Sequence, residues 1–126
     1  MHDQHVIEKI TLDDAFESID EQWSPRIAAE LNGQAVKLST VEGKFVWHHH
    51  EDADELFMIV SGTLRIEFRE QPNIELEAGE LVVVPRGVEH RPVAAEETRI
   101  LLFEPTGIEN TGNTVSDLTA EEEHLE

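Results

Sequence analysis

Four residues whose side chains commonly bind metal ions stand close together near the middle of this chain. His48, His49 and His50 are consecutive, and Glu55 follows them after a short acidic turn. Successive side chains of a β-strand point to opposite faces, so His48 and His50 would share one face while His49 points to the other. We therefore expect His48, His50 and Glu55 to converge on a single cation.

A further imidazole is needed to complete such a site, and His90 is the candidate. It follows Pro85-Arg86-Gly87, a sharp turn in which proline presets φ and glycine permits an unusual backbone angle. Three imidazoles and one carboxylate leave one or two positions open on a six-coordinate ion such as iron, manganese or nickel, and none on a tetrahedral zinc. The residues predict a divalent transition metal (Fe, Mn, Ni or Zn), bound through nitrogen and oxygen because the chain has no cysteine.

The predicted ligands have apolar neighbours on the strand faces that carry them. These neighbours are Val46, Phe57, Ile59 and Val88. An apolar cup with a few convergent polar groups is the usual composition of a small-molecule pocket. We therefore expect a small molecule to be the partner of this site.

Composition argues against several other classes of partner. The chain has 126 residues, enough for one domain, and its formal net charge of -19 would repel nucleic acid and anionic membrane surfaces. No apolar run approaches the roughly 20 residues that span a bilayer, and the N-terminus is too polar and acidic for a signal peptide. We expect a cytoplasmic protein that binds neither nucleic acid nor membrane.

The elements that must position these residues are short strands separated by turns. Asn32-Gly33 predicts a type I′ hairpin between strands at 26–31 and 34–41, and Glu42-Gly43 predicts a second turn, into a strand at 44–50. Further strands are expected at 55–60, 63–69, 74–77, 81–84, 88–94 and 98–104. Many short strands with Gly, Pro and Asn between them predict an all-β sandwich or barrel, which we assign to residues 25–105.

The two ends of the chain differ from this central part. Thr11 and the acidic and apolar residues after it predict a short helix over about 12–18, within an N-terminal extension spanning 1–24. Residues 106–126 are rich in acidic and small polar residues. That composition predicts a C-terminal tail that is poorly ordered unless other residues hold it.

The spacing of the candidate ligands resembles the two sequence motifs of the cupins. The first motif, G-x5-H-x-H-x(3,4)-E-x6-G, is similar to Gly43-x4-His48-x-His50-x4-Glu55-x6-Gly62, and the second, G-x5-P-x-G-x2-H-x3-N, is similar to Gly79-x5-Pro85-x-Gly87-x2-His90. The interval from Gly43 to His48 is one residue shorter than in the family, and Ala94 replaces the closing asparagine. Neither departure changes a ligand position.

The resemblance implies a double-stranded β-helix, the cupin jelly-roll barrel, with a metal bound by His48, His50, Glu55 and His90. More narrowly, the chain is similar to small single-domain cupins described as mannose-6-phosphate isomerase-like. Open metal positions would allow oxygenase-type or isomerase-type chemistry on a small molecule. Two alternatives are a non-catalytic module that binds a small molecule and a cupin that carries no metal.

Apolar residues on the opposite strand faces predict a further contact. Phe45 and Trp47 alternate with the histidines, and Leu56, Met58 and Val60 point away from the predicted cup on the neighbouring strand. A surface of this kind needs cover from the first hairpin, the N-terminal helix or a second subunit. We predict a homodimer.

Overall fold

The computed structural model describes residues 7–114 and 116–125. Within these ranges the elements are α1 (Leu12–Glu17), β1 (Arg26–Leu31), β2 (Gln34–Lys44), β3 (Glu55–Ser61), β4 (Thr63–Phe68), β5 (Ile74–Glu77), β6 (Leu81–Val84), β7 (His90–Pro105) and β8 (Glu123–His124). The predicted all-β class with a short N-terminal helix is confirmed. A helix with the length and apolar character of a membrane span does not occur in the described ranges.

The long strand β7 is the central strand of the sheet and pairs with three others. Its first residues pair with β4, and its later residues pair with β2 on one side and β3 on the other. From these strands the pairing continues from β2 to β1 and β8, from β4 to β5, and from β3 to β6. One strand that changes partners along its length wraps the sheet around a single interior, which is the predicted double-stranded β-helix.

The interior is filled by the inward side chains of these strands. In β4, Leu64 and Ile66 are completely buried, while Arg65 and Glu67, which alternate with them, are half-buried on the other face. Burying a large aliphatic side chain of this kind contributes about 1.5–3 kcal/mol. A smaller apolar cluster lies outside the barrel, where Phe16 of α1 packs near Leu38 of β2. The N-terminal helix therefore covers part of the outer face of the sheet.

The first hairpin forms as its turn residues predict. Asn32 and Gly33 both have positive φ, at 53° and 76°, and Leu31 pairs with Gln34 across them. A type I′ turn needs positive φ at both central positions, and asparagine and glycine adopt it at low cost. This hairpin sets the register that places every second residue of β2 inside the barrel.

Three other local predictions are wrong. Glu42-Gly43 is not a turn, because β2 continues to Lys44 with a bulge between Val41 and Gly43 in its pairing with β7. Residues 45–50 do not form a regular strand, and only His48 makes an isolated β-bridge. The strands expected at 88–94 and 98–104 are one continuous strand, β7. Gly43 has a φ of 88°, which lets the chain bulge without turning back.

Phe45 lies in the core and not on the predicted outer face. The alternation used to place it does not apply to an irregular segment. Its ring stacks on Trp23 with 4.6 Å between centroids and meets His48 edge-on at 5.4 Å. Trp23, from the N-terminal part of the chain, therefore packs with Phe45 beside the histidines.

Candidate metal centre

Separate parts of the chain bring the four predicted ligands together. His48 and His50 lie in the segment between β2 and β3, Glu55 begins β3, and His90 begins β7. The backbone N–H of His48 donates to the carbonyl of His90 at 3.0 Å, and the N–H of His90 donates back at 2.9 Å. The N–H of Gly87 donates to the carbonyl of His50 at 2.8 Å, which holds the turn before His90 against the histidine segment.

The side chains of these four residues offer donor atoms that all lie within 4.8 Å of one another. Nε2 of His50 is 3.4 Å from Oε1 of Glu55, and Nε2 of His90 is 3.6 Å from the same oxygen. Donor atoms bound to one metal ion at about 2.1 Å lie roughly 3.0–3.4 Å apart, so a small contraction would suit a shared ion. His49, half-buried and 3.3 Å from Glu51, lies outside this cluster.

Three of the donor atoms are buried without a partner. Nε2 of His50, Nε2 of His90 and Oε1 of Glu55 make no hydrogen bond within the described ranges. Leaving such an atom unsatisfied costs about 1–3 kcal/mol, more when it is charged, so a chain keeps several of them together when something else satisfies them. A divalent cation would satisfy all three at once.

In two of the histidines, the hydrogen bond made by one ring nitrogen determines that the other ring nitrogen is available to a metal. Nδ1 of His48 and Nδ1 of His90 each lie 2.9 Å from a backbone carbonyl two residues earlier in the chain. A carbonyl can only accept, so Nδ1 carries the proton and Nε2 keeps its lone pair. A metal-binding histidine is commonly oriented by this kind of second hydrogen bond. The residues present therefore fit a divalent metal ion.

The surroundings of His48 and Glu55 also favour the protonation states that metal binding needs. Burial, and after it the neighbouring His90, lowers the pKa of His48 to about 4. Burial alone would raise the pKa of Glu55, but the adjacent imidazoles of His50 and His90 hold that pKa well below its usual value. A neutral imidazole and an ionised carboxylate are the forms that coordinate cations.

These shifts predict a pH effect on the metal-free protein. Between pH 4 and 6.5 the unfolded chain binds a proton at His48 that the folded chain does not, so acidification through this range destabilises the fold. We expect the contribution of His48 to the free energy of unfolding to fall by about 3 kcal/mol from pH 6.5 to pH 4. Urea unfolding of chelator-treated protein at several pH values should measure it, as the difference between wild type and a His48→Gln variant. An equal difference at pH 4 and 6.5 would contradict the shift.

A cavity of about 40 Å³ opens beside His48 and Glu55. Its wall is mostly apolar and includes Trp23, Pro25, Phe45, Phe57, Pro92, Ile100, Leu102 and Ile108. Of the residues predicted to line the pocket, Phe57 lies in this wall. Ile59 is buried in the core, and Val46 and Val88 are half-buried against that core outside the wall.

Sequence reasoning missed a polar group in the same wall, formed by Lys37, Ser39 and Glu104. All three side chains are buried, at 3%, 1% and 3% exposed. Nζ of Lys37 donates to Oε2 of Glu104 at 2.7 Å and lies 2.8 Å from Oε2 of Glu122. Oγ of Ser39 and Oε1 of Glu104 have no partner among the described residues. The cavity thus has unpaired polar atoms on two sides.

The pKa of Glu104 in this wall is strongly raised. Burial, and after it the negative charge of Glu55, raises its pKa to about 9. One sequence signal was available, because Glu104 follows Ile100 and Leu102 on the inward face of its predicted strand. A carboxylate that continues an apolar face must be buried with a partner, and Lys37 could be identified as that partner only from the pairing of β2 with β7.

Comparison with known proteins agrees with this geometry. A family model described as a cupin domain (Cupin_2) matches residues 35–104. The uncharacterized protein YdbB of Bacillus subtilis (strain 168) is 38% identical over 63 residues, a stretch that covers 50% of this chain and 56% of that protein. The chain therefore aligns with little more than half the length of that curated relative.

Solved structures extend the comparison to three dimensions. A cupin-2 domain containing protein from Shewanella frigidimarina is 52% identical, with a TM-score of 0.74 over 76% of this chain and 93% of that chain. Protein NMB1881 from Neisseria meningitidis is 29% identical, with a TM-score of 0.71 over 79% of this chain and 100% of that chain. The sequence match, the barrel and the clustered His and Glu ligands lead to one conclusion: this chain belongs to the cupin family.

Proposed function

We propose that this cupin binds one divalent transition metal through His48, His50, Glu55 and His90 and acts on a small molecule in the adjoining cavity. The observation that carries the proposal is the group of buried, unpaired donor atoms on three of these ligands. Iron, manganese or nickel, when bound, would supply the open positions needed for oxygenase-type or isomerase-type chemistry, whereas a tetrahedral zinc would supply none.

The cavity wall supports a role for the protein in holding a ligand beside the metal. Trp23, Phe45 and Phe57 present apolar surface that excludes water from the side of the ligand cluster. Ser39 and Glu104 offer unpaired polar atoms from the same wall. A mostly apolar cavity with a few polar atoms orients a small molecule and gives specificity.

The charges around the cavity favour an uncharged ligand with hydroxyl or carbonyl groups. Lys37 is the one basic residue in the described wall, and Glu104, Glu122 and the carbonyl of Ile108 already occupy its ammonium group. An anionic substrate would meet carboxylates there, and no lysine or arginine side chain in the described wall is free to receive it. We therefore propose only that the chain is related to the mannose-6-phosphate isomerase-like cupins. We do not infer that its substrate is a phosphorylated sugar.

The main test is turnover by metal-loaded protein. We expect oxygen consumption or product formation with candidate dicarbonyls, phenols or sugars after loading with iron, manganese or nickel, measured by an oxygen electrode and chromatography. Chelator-treated protein should show none, because the remaining residues provide no substitute for the metal. Saturable ligand binding without turnover would favour the alternative, a non-catalytic binding module. Protein that takes up no metal at all would favour a metal-free structural cupin.

We also propose a homodimer, formed through the outer face of β3, β6 and β7. Helix α1 covers the neighbouring part of the sheet, around Leu38 of β2 and Leu101 of β7. Beyond the helix, Leu56 and Met58 pair with Val83 and Leu81, which are 49% and 56% exposed. Adjacent exposed apolar side chains of this kind are typical of protein contacts. A cytoplasmic location, like the dimer, remains a prediction from the sequence.

A further inference from the structure

We propose that the C-terminal segment, meaning the described residues of 106–125, contributes structurally to the metal centre. Its role would be to position the chain segment that carries His48 and His50. This inference rests on the proposed metal site and concerns residues beyond the matched cupin domain, which ends at residue 104. It gives a specific role to a tail that was expected to be poorly ordered unless other residues hold it.

The ligand segment has two backbone edges, and the C-terminal segment closes one of them. On one edge, the N–H and carbonyl of His48 pair with His90. The next residue presents its groups to the other side, where the N–H of His49 donates to Oδ1 of Asn113 at 2.8 Å. The N–H of Asn113 donates to the carbonyl of His49 at 3.1 Å, and Oγ1 of Thr114 donates to the carbonyl of Trp47 at 2.8 Å.

These bonds matter because the backbone hydrogen bonds of the two histidine ligands, to His90 and Gly87, all lie on the opposite edge of the segment. Residues 45–50 are outside the regular strands, and β3 begins only at Glu55. Asn113 and Thr114 therefore act on the backbone between two metal ligands in the way that a neighbouring strand would. The position of both imidazoles depends on this backbone, since each ring is attached one residue away from a bonded group.

Gly112 brings the C-terminal segment into direct contact with the ligands. A Cβ atom added at this residue would lie 2.2 Å from the carbonyl oxygen of His49 and 3.2 Å from Cδ2 of His48. Only a glycine allows the two backbones to approach this closely, and its φ of 56° also favours glycine. Any side chain here must displace the segment, the histidines, or both.

The C-terminal segment is itself anchored at several independent points. Nδ2 of Asn110 donates to the carbonyls of Trp23 and Leu118, and its Oδ1 accepts from the N–H of Ala120. Thr111 is completely buried and its hydroxyl is bonded to that of Thr119. Anchors on both sides of Gly112 and Asn113 keep these residues against the ligand segment, which a freely moving tail would not do.

The test is the affinity of the full-length protein for Co²⁺ in Gly112→Ala and Gly79→Ala variants. Gly79 is a matched control outside the C-terminal segment, because its φ of 88° is equally unusual for alanine but an added Cβ would meet nothing within 4 Å. We expect Gly112→Ala to weaken Co²⁺ binding about 10- to 100-fold, as for the loss of residues that orient metal ligands, and to shift the visible bands of bound Co²⁺. Gly79→Ala should stay within about twofold of wild type.

A second variant keeps the proposal testable if Gly112→Ala does not fold. Asn113→Ala removes one hydrogen bond to His49 and should weaken Co²⁺ binding about two- to tenfold, while Asn113→Asp, which still accepts that bond, should restore it. Unchanged affinity and an unchanged Co²⁺ spectrum in both Gly112→Ala and Asn113→Ala would overturn the inference, even if both variants melt at lower temperature. Failure of wild type to bind Co²⁺ would instead overturn the proposed metal site.

Discussion

Replacing His90 with alanine is expected to remove the metal from this protein. Nε2 of His90 is one of the buried, unpaired donor atoms, and the residue begins the long strand that faces the other histidines. Losing a direct ligand should weaken metal binding by more than the roughly 10- to 100-fold that follows the loss of an outer hydrogen-bond partner. Elemental analysis of purified protein, followed by titration of the chelator-treated protein with Co²⁺, would measure the loss.

The matched control is His49→Ala, which removes a histidine from the same stretch. The His49 side chain is 24% exposed and lies beside Glu51, outside the ligand cluster. Its backbone bonds to Asn113 survive the substitution, so metal content should remain that of wild type. Undiminished metal in the His90→Ala protein would defeat the four-ligand site. Equal loss in both variants would point to non-specific binding by the histidine-rich stretch.

Replacing Lys37 with methionine is expected to cause the largest loss of stability. Its ammonium group lies between Glu104 and Glu122, and both it and Glu104 are buried. Removing one partner of a buried ion pair costs roughly 3–5 kcal/mol, because the other charge stays behind without compensation. We expect a value near the lower end, because the pKa of Glu104 is raised to about 9 and that carboxyl stays protonated near neutral pH, so the charge left without its partner is Glu122. Chemical denaturation of the metal-free protein would measure it.

Two further variants identify the cause of that loss. Lys44→Met changes an exposed lysine at the end of the same strand and should alter the free energy of unfolding by less than about 0.5 kcal/mol. The double variant Lys37→Met with Glu104→Gln should recover part of the stability, because no buried carboxyl would be left opposite the missing lysine, and Glu122, which also loses its partner, is 27% exposed. A Lys37→Met protein as stable as wild type would show that the ion pair contributes little.

Much of the metal centre could be predicted because its evidence is local. The ligands His48 and His50 are two residues apart, Glu55 follows after a short turn, and the spacing around His90 resembles a family motif. Ligand spacing and turn chemistry act over a few residues, so they can be seen in the chain itself. The Asn32-Gly33 hairpin was predictable for the same reason. Strand alternation does not place His48 and His50, because residues 45–50 form no regular strand.

Other features depended on which strands become neighbours. The bulge at Gly43 and the continuous strand β7 follow from the pairing of β2 with β7, and the burial of Phe45 follows from its stacking on Trp23. The local pattern predicted a turn, two strands and an outer face instead. A bulge and a turn have similar residue preferences, and only the partner strand decides between them.

The sequence by itself determined the fold class and the four candidate ligands. Only the tertiary structure decided what surrounds them, because the contacts join residues far apart in the chain. Lys37 meets Glu104 across 67 positions, and His49 meets Asn113 across 64. Such contacts leave no periodic signal, since burial of a charged or polar side chain is stable only when a distant partner arrives. Residues 112–114, within a stretch whose composition predicted a tail poorly ordered unless other residues hold it, lie against the segment of the candidate ligands His48 and His50 in the folded protein.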